Sequence, residues 1–358
     1  MEQPKLRDGK IVLSEDPLVL ETPLEHLGEF ITPAKLFYVR NHFPIPKIDR
    51  NKWRLRIEGE VEKALEINFD ELSKLETRKI PATLECAGNG RSFLEPKVKG
   101  VQWHIGGISH ADWTGVPLFT LLARAGVKST AREVIFEGAD HGKLEDPKAP
   151  RGEIHFARSI PLEKAFEVVL AYKMNDVDIS AEHGFPLRAI VPGWYAVASV
   201  KWLQRIIVTD KPFNGYYQTL DYAIWRRDGD QARLTAISEI QTKATITSPA
   251  DGETVPANSS VRVRGAAWTG SGEITKVELS ADGGSTWNEA KLLGEAKANA
   301  WRPWEFDWKT PPQSGEAKLM ARATDSKGGT QPLERDPDRG TYMINHLRLI
   351  TVEVTKSS

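Results

Sequence analysis

The chain has 358 residues, 40% apolar and 27% charged, a globular composition on a chain long enough to need two hydrophobic cores. Its 48 Lys and Arg nearly cancel 49 Asp and Glu, which leaves no broad field to hold nucleic acid or an anionic membrane. One cysteine excludes an intramolecular disulfide, so folding requires no oxidising compartment.

The opening residues, Met1 to Asp8, contain neither an apolar core nor paired arginines and so match no secretory or twin-arginine leader. No apolar run reaches the ~18 residues that a membrane span needs. The expected location is the cytoplasm, or the periplasm if a leader has been removed. Further along, Val116 to Gly126 predicts a helix with Pro117 in its first turn and Gly126 at its end. Glu133–Gly138 and Trp202–Val208 predict strands, the second through its β-branched Ile206, Ile207 and Val208. This first region reads as mixed α and β, without a βαβ rhythm or an internal repeat.

After residue 240 the pattern becomes all-β. Thr245–Pro249, Val261–Gly265 and Lys276–Ser280 are short alternating runs, with Asp251-Gly252 and Asp282-Gly283-Gly284 between them as hairpin turns. Strands at this spacing predict an immunoglobulin-like sandwich of roughly 110 residues. The boundary falls in the polar stretch between Leu234 and Lys243.

The lone cysteine lies in Glu85-Cys86-Ala87-Gly88-Asn89-Gly90-Arg91, where a thiolate would be a soft metal donor on a tight turn. Read alone, Cys86 is equally a small buried hydrophobe. Gly88-Asn89-Gly90 is no dinucleotide fingerprint, because Phe93 stands where the last glycine is required. His26, His42, His104, His110, His141, His155, His183 and His346 never fall at the spacing of a zinc hydrolase. Ser109-His110 lacks the setting of a hydrolase nucleophile.

Three further segments combine cations with hydrogen-bond donors. They are Tyr38-Val39-Arg40-Asn41-His42, His183-Gly184-Phe185-Pro186-Leu187-Arg188 with Ser199-Val200-Lys201-Trp202, and Arg339-Gly340. With the Cys86 loop, they resemble the sulfite oxidase family of molybdopterin-dependent oxidoreductases, of the haem-free, bacterial or plant-like type, from about Ile31 to Val354. The resemblance implies a mixed α/β molybdopterin-binding catalytic domain over 1–238, with an N-terminal extension at 1–30. An immunoglobulin-like dimerisation domain would occupy 239–358, an α+β chain overall.

By the same resemblance, Cys86 is the metal ligand. Tyr38, Val39, Arg40, Asn41, His42, Asp140, His183, Arg188, Ser199, Val200 and Lys201 bind the cofactor. Arg40, Arg91 and Arg339 form a cationic substrate pocket, Tyr222 acts beside the metal, and Trp103 walls the site. Arg335, four residues before Arg339, is the alternative third cation. Gly90 stands where many relatives carry another arginine. The implied reaction is oxidation of sulfite, or a similar small oxyanion, to sulfate by oxygen-atom transfer at a molybdenum–molybdopterin centre. Haem, flavin and NAD are not expected, so electrons would pass to an external cytochrome or dioxygen. The expected assembly is a homodimer through the C-terminal domain, with no nucleic-acid or membrane partner. Two alternatives stay open: an S- or N-oxide reductase using the same cofactor, and a non-enzymatic binding module.

Overall fold

A computed structural model describes residues 4–356. The described chain is mostly β, with three short α-helices at Phe69–Ser73, Leu118–Ala125 and Tyr216–Thr219. This corrects the mixed α/β reading of the first region. Only the Leu118–Ala125 stretch combines a buried stripe (Leu118, Leu121, Leu122, Ala125) with clear end signals, Pro117 before it and Gly126 after it at φ +69°. The remaining apolar runs are short and find partners in sheets instead.

Three larger sheets and a two-stranded hairpin, Ala223–Asp228 with Gln231–Ala236, build the first part. Leu6–Arg7, Lys10–Glu15, Leu18–Glu21 and Val39–Arg40 form an N-terminal four-stranded sheet in that order. A five-stranded sheet places Glu133–Lys143 beside Leu203–Thr209, which runs parallel to Arg54–Gly59. In the third sheet Arg78–Glu85 pairs with Ile108–Pro117, so the strand end at Glu85, held opposite Ile108, delivers Cys86. Arg188–Ile190 joins this sheet through Val169–Met174. The large core between these layers includes Phe136, Leu170, Leu187 and Leu203, all buried.

Beyond residue 240, two sheets face each other. One contains Lys243–Ser248, Ser260–Trp268, Arg302–Lys309 and Lys291–Leu292; the other contains Thr254–Pro256, Leu349–Thr355, Gly315–Asp325, Ile274–Ser280 and Asn288–Glu289. Val263 and Trp304 from the first meet Val277, Leu319 and Val352 from the second in a separate core. The Asp282-Gly283-Gly284 turn closes a hairpin, with Glu278 opposite Glu289. Asp251-Gly252 does not. Its carboxylate accepts from Thr351 N at 2.8 Å, and Thr254–Pro256 pairs in parallel with Leu349–Thr355. Docking on the last strand therefore overrides the local turn signal. No helix among the described residues is long and apolar enough to cross a membrane.

The two parts share a continuous interface. Trp268, Trp301 and Met343 pack into the first core, and Met343 N donates to Ala87 O at 2.7 Å.

Candidate active site

The main cavity lies within the first part, lined by residues between Phe37 and Tyr222, and is partly open to solvent. Each wall comes from an element end. Tyr38, Arg40 and His42 follow from the short strand Val39–Arg40, Cys86 from the end of Arg78–Glu85, and Asp140 from Glu133–Lys143. His183, Arg188, Ser199, Val200 and Lys201 line the opposite side with Tyr222. All of these were expected from sequence.

Two glycines shape the Cys86 turn. Gly90 holds φ +91°, a conformation that strains other residues. Gly88 lies under the Arg91 guanidinium, where an added Cβ would come within 2.3 Å of Nη2. Arg91 donates through Nε to Thr341 O at 3.1 Å and through Nη1 to Val101 O at 2.9 Å. Burial pushes the Cys86 thiol upward, while Arg40 and Arg91 pull it back down.

Cations crowd the far side. Arg188 donates to His183 O and Ser199 O, each at 3.0 Å, and lies 5.0 Å from the Trp113 ring centroid. Lys201 donates to Glu182 O at 2.9 Å and to the Asn41 side-chain oxygen. Burial lowers Arg188 to about 10. It lowers Lys201 as well, and Arg188 adds to that shift by repulsion. His42 and His183 are driven well below their usual value by burial, with the neighbouring cations adding to it. Burial raises Asp140 instead.

Four buried polar atoms on or just behind these walls make no hydrogen bond: Asn41 Nδ2, Asp140 Oδ1, His183 Nε2 and Arg188 Nε. Buried groups left in this state are costly, and here two N–H donors, Asn41 Nδ2 and Arg188 Nε, stand with an imidazole nitrogen and a carboxylate oxygen. The arrangement suits a polar ligand that is anionic at one end and carries N–H groups at another. At the other end of the cavity, Cys86 offers one sulfur. Among the described residues there is no cluster of three or more His, Cys, Asp or Glu able to hold a metal. A metal at Cys86 would therefore draw its other bonds from a ligand the cavity receives. Molybdopterin, with dithiolene sulfurs, a pterin and a phosphate, has these properties, and the residues present fit it.

Tyr222 hydrogen-bonds His42 Nε2 at 2.7 Å and holds φ +51°, an unfavourable backbone for a bulky residue. Asp221 fixes it by accepting from Tyr222 N at 3.0 Å and from the Tyr342 hydroxyl. Tyr342 stacks on Tyr222 with ring centroids 5.0 Å apart, and Arg91 lies 5.1 Å over the Tyr342 ring.

Other expected residues lie off the cavity lining. Val39 faces a small separate core with Leu18 and Leu20, so only its backbone is near the site. Asn41 reaches the site through its contact with Lys201. Trp103 is fully buried behind Tyr38, edge-on at 5.7 Å. Arg339 is engaged by Asp336, by Asn345 Oδ1 at 2.7 Å and by Gln241 Oε1 at 3.3 Å. Arg335 stands outside the lining, and so does Arg91, which is engaged by Thr341 O and Val101 O beside the Cys86 turn.

Sequence reasoning missed Phe156, stacked on His42 at 4.6 Å, and Tyr342. It also missed Glu85, which accepts from Trp268 Nε1 at 2.9 Å and pairs with Lys243 at 3.4 Å behind the cysteine. None of these lies in a recognisable motif; an acidic residue directly before the one cysteine was the only available hint.

A buried thiol, a group of buried cations and an oriented tyrosine suit a cofactor that offers sulfur and an anionic group. Comparison with known proteins agrees. Residues 42–217 match the oxidoreductase molybdopterin binding domain and residues 234–343 the Mo-co oxidoreductase dimerisation domain. The chain is 36% identical to the sulfite oxidase of Gallus gallus, over 92% of its own length and 74% of that protein. It is also 36% identical to mitochondrial sulfite oxidase of Rattus norvegicus, over 93% of this chain but 62% of that longer protein. The crystal structure of the sulfane dehydrogenase SoxCD from Paracoccus pantotrophus superposes with a TM-score of 0.81 at 30% identity, covering 96% of this chain and 88% of that one. The chain belongs to the sulfite oxidase family of molybdopterin-dependent oxidoreductases.

Proposed function

We propose that this chain oxidises sulfite to sulfate at a molybdopterin centre ligated by Cys86, passing electrons to an external acceptor such as a cytochrome or dioxygen. The observation that carries this reading is the cavity itself, whose lining joins the lone thiol Cys86 to Arg40, Arg188 and Lys201 and leaves Arg188 Nε and Asp140 Oδ1 without partners. Sulfite oxidases and a sulfane dehydrogenase among the relatives support a sulfur oxyanion as substrate.

The bound cofactor supplies the oxygen-atom transfer and the two-electron change. Around it, Arg188, Lys201 and His183 would hold the phosphate, Asp140 Oδ1 would accept from pterin N–H groups, and Asn41 Nδ2 would donate. Arg40 and Arg91 would attract the oxyanion, since a guanidinium stays charged and binds two oxygens at once. Arg339 would have to release Asp336, Asn345 and Gln241 to join them. Burial favours neutral His42, so its Nε2 can accept the hydrogen bond from the Tyr222 hydroxyl and hold that group in place beside the cavity. Trp103 would support Tyr38 from behind.

We also read the two C-terminal sheets as an immunoglobulin-like sandwich that pairs two chains, with the domain division at 238/239. The dimerisation-domain match supports the pairing.

Molybdenum content by elemental mass spectrometry, with sulfite-dependent ferricyanide reduction on the same sample, tests the reading. About one metal per chain with turnover is expected. Metal without sulfite turnover would replace it with the oxide-reductase reading.

A further inference from the structure

Residues 5–21 precede the stretch matched to the molybdopterin binding domain, yet they build part of its site. Leu18–Glu21 pairs with Val39–Arg40, placing Val19 opposite Arg40 and Leu20 opposite Val39. Asn41 N donates to Leu18 O at 3.2 Å. The same hairpin carries Lys10, only 1% exposed, whose ammonium lies 2.8 Å from Glu182 Oε1.

The place of Glu182 makes this pair consequential. The same Oε1 lies 3.6 Å from His183 Nε2, an atom without a hydrogen bond and just beyond bonding reach, and the Glu182 carbonyl accepts from Lys201. Without Lys10, that carboxylate keeps His183 Nε2 at 3.6 Å and the nearby Lys201 charge as protein partners, both facing the cavity. A carboxylate turned towards His183 and Lys201 would occupy the donors meant for an anionic ligand and repel it.

We propose that Lys10 is a positioning residue of the cofactor site: it sequesters the Glu182 carboxylate and so leaves His183 and Lys201 free for the cofactor phosphate. The inference rests on the assignment of the cavity to molybdopterin. The N-terminal sheet is thereby an electrostatic part of the site, beyond its backbone pairing with the Arg40 strand.

The test compares cofactor retention in purified loaded protein, following released molybdenum by elemental mass spectrometry and released pterin by fluorescence after oxidation. Lys10→Met should release both about tenfold faster than the unaltered chain, a conservative factor for one uncompensated, partly buried charge beside the site. Glu182→Gln should retain them at least as well as the unaltered chain, and Lys10→Met/Glu182→Gln should return to within about threefold of it. A pair acting only as a staple would give the opposite, with all three variants equally leaky, and that result overturns the proposal. Wild-type release from a loaded Lys10→Met overturns it too. Should Lys10→Met fail to fold, as judged by circular dichroism, the Glu182→Gln rate decides, since faster loss there contradicts sequestration. If the unaltered chain carries no pterin at all, the failure belongs to the cofactor assignment, not to Lys10.

Discussion

At Cys86 the local sequence sets the geometry before any distant contact acts. Gly88 admits the Arg91 guanidinium against the turn, and Gly90 supplies the positive φ that ends it. Two expectations follow for the soft donor and its cationic neighbour. Cys86→Ser should keep the fold, because an Oγ fits where Sγ was, but lose sulfite oxidation by two orders of magnitude or so, since a hard hydroxyl replaces a thiolate poorly. Unchanged turnover by loaded protein would remove Cys86 from the ligand role. Arg91→Gln should mainly raise the Michaelis constant for sulfite, about tenfold, by withdrawing charge from the oxyanion's binding place. A fall in kcat at constant KM would show that Arg91 acts on the chemistry instead. These residues stood out in the sequence because the proposed ligand and its neighbouring cation share one short motif. Glu85 did not, as its partners Trp268 and Lys243 lie more than 150 residues away and are brought to it only by domain packing.

Among the elements, the segment from Asp336 to Asn345 does work that its sequence conceals. It has no apolar period and forms only a short 3-10 turn at Pro337–Arg339, yet it touches three parts of the site. Thr341 O receives Arg91, Met343 N binds Ala87, and Tyr342 is held between Arg91 and Tyr222. Tyr342→Leu removes the stack and the hydroxyl anchor on Asp221 together. It should lower kcat/KM for sulfite about tenfold while Tyr342→Phe, which keeps the ring, retains most of it. Steady-state kinetics of both variants check this, and equal losses would shift the role from the ring to the hydroxyl. Legibility varied with how local the cause was. The helix Leu118–Ala125 is readable because its caps and buried stripe are contiguous. The Asp251-Gly252 turn misleads because its carboxylate is spent on Thr351, a hundred residues on. The N-terminal hairpin reads as a mere extension because its value lies in pairing with the Arg40 strand.

For the whole molecule, the interface between the two parts carries a buried group that makes cohesion depend on pH. His110 is 4% exposed, bonds Thr83 Oγ1 through Nδ1 at 2.9 Å, and stacks on Trp301 from the C-terminal part at 5.9 Å. Thr83 extends the seam, donating its N–H to Asn299 O and accepting from Trp301 N, each at 2.8 Å. Burial lowers His110 from 6.5 to about 4. Between those values the unfolded chain takes up a proton that the folded chain refuses. Stability is therefore full above pH 6.5, falls as pH drops towards 4, and is then lower by about 3 kcal/mol from this group. His42 and His183 slope the same way, so the comparison that isolates His110 is between the unaltered chain and His110→Gln. Glutamine can keep the bond to Thr83 without titrating. Urea unfolding of both at pH 7, 6 and 5 should show the variant losing less stability on acidification. The difference should appear first in the fluorescence of Trp301 and its neighbours as the two parts separate. Parallel losses in the two proteins would mean that the seam tolerates the imidazolium, and that acid sensitivity belongs to the cofactor cavity.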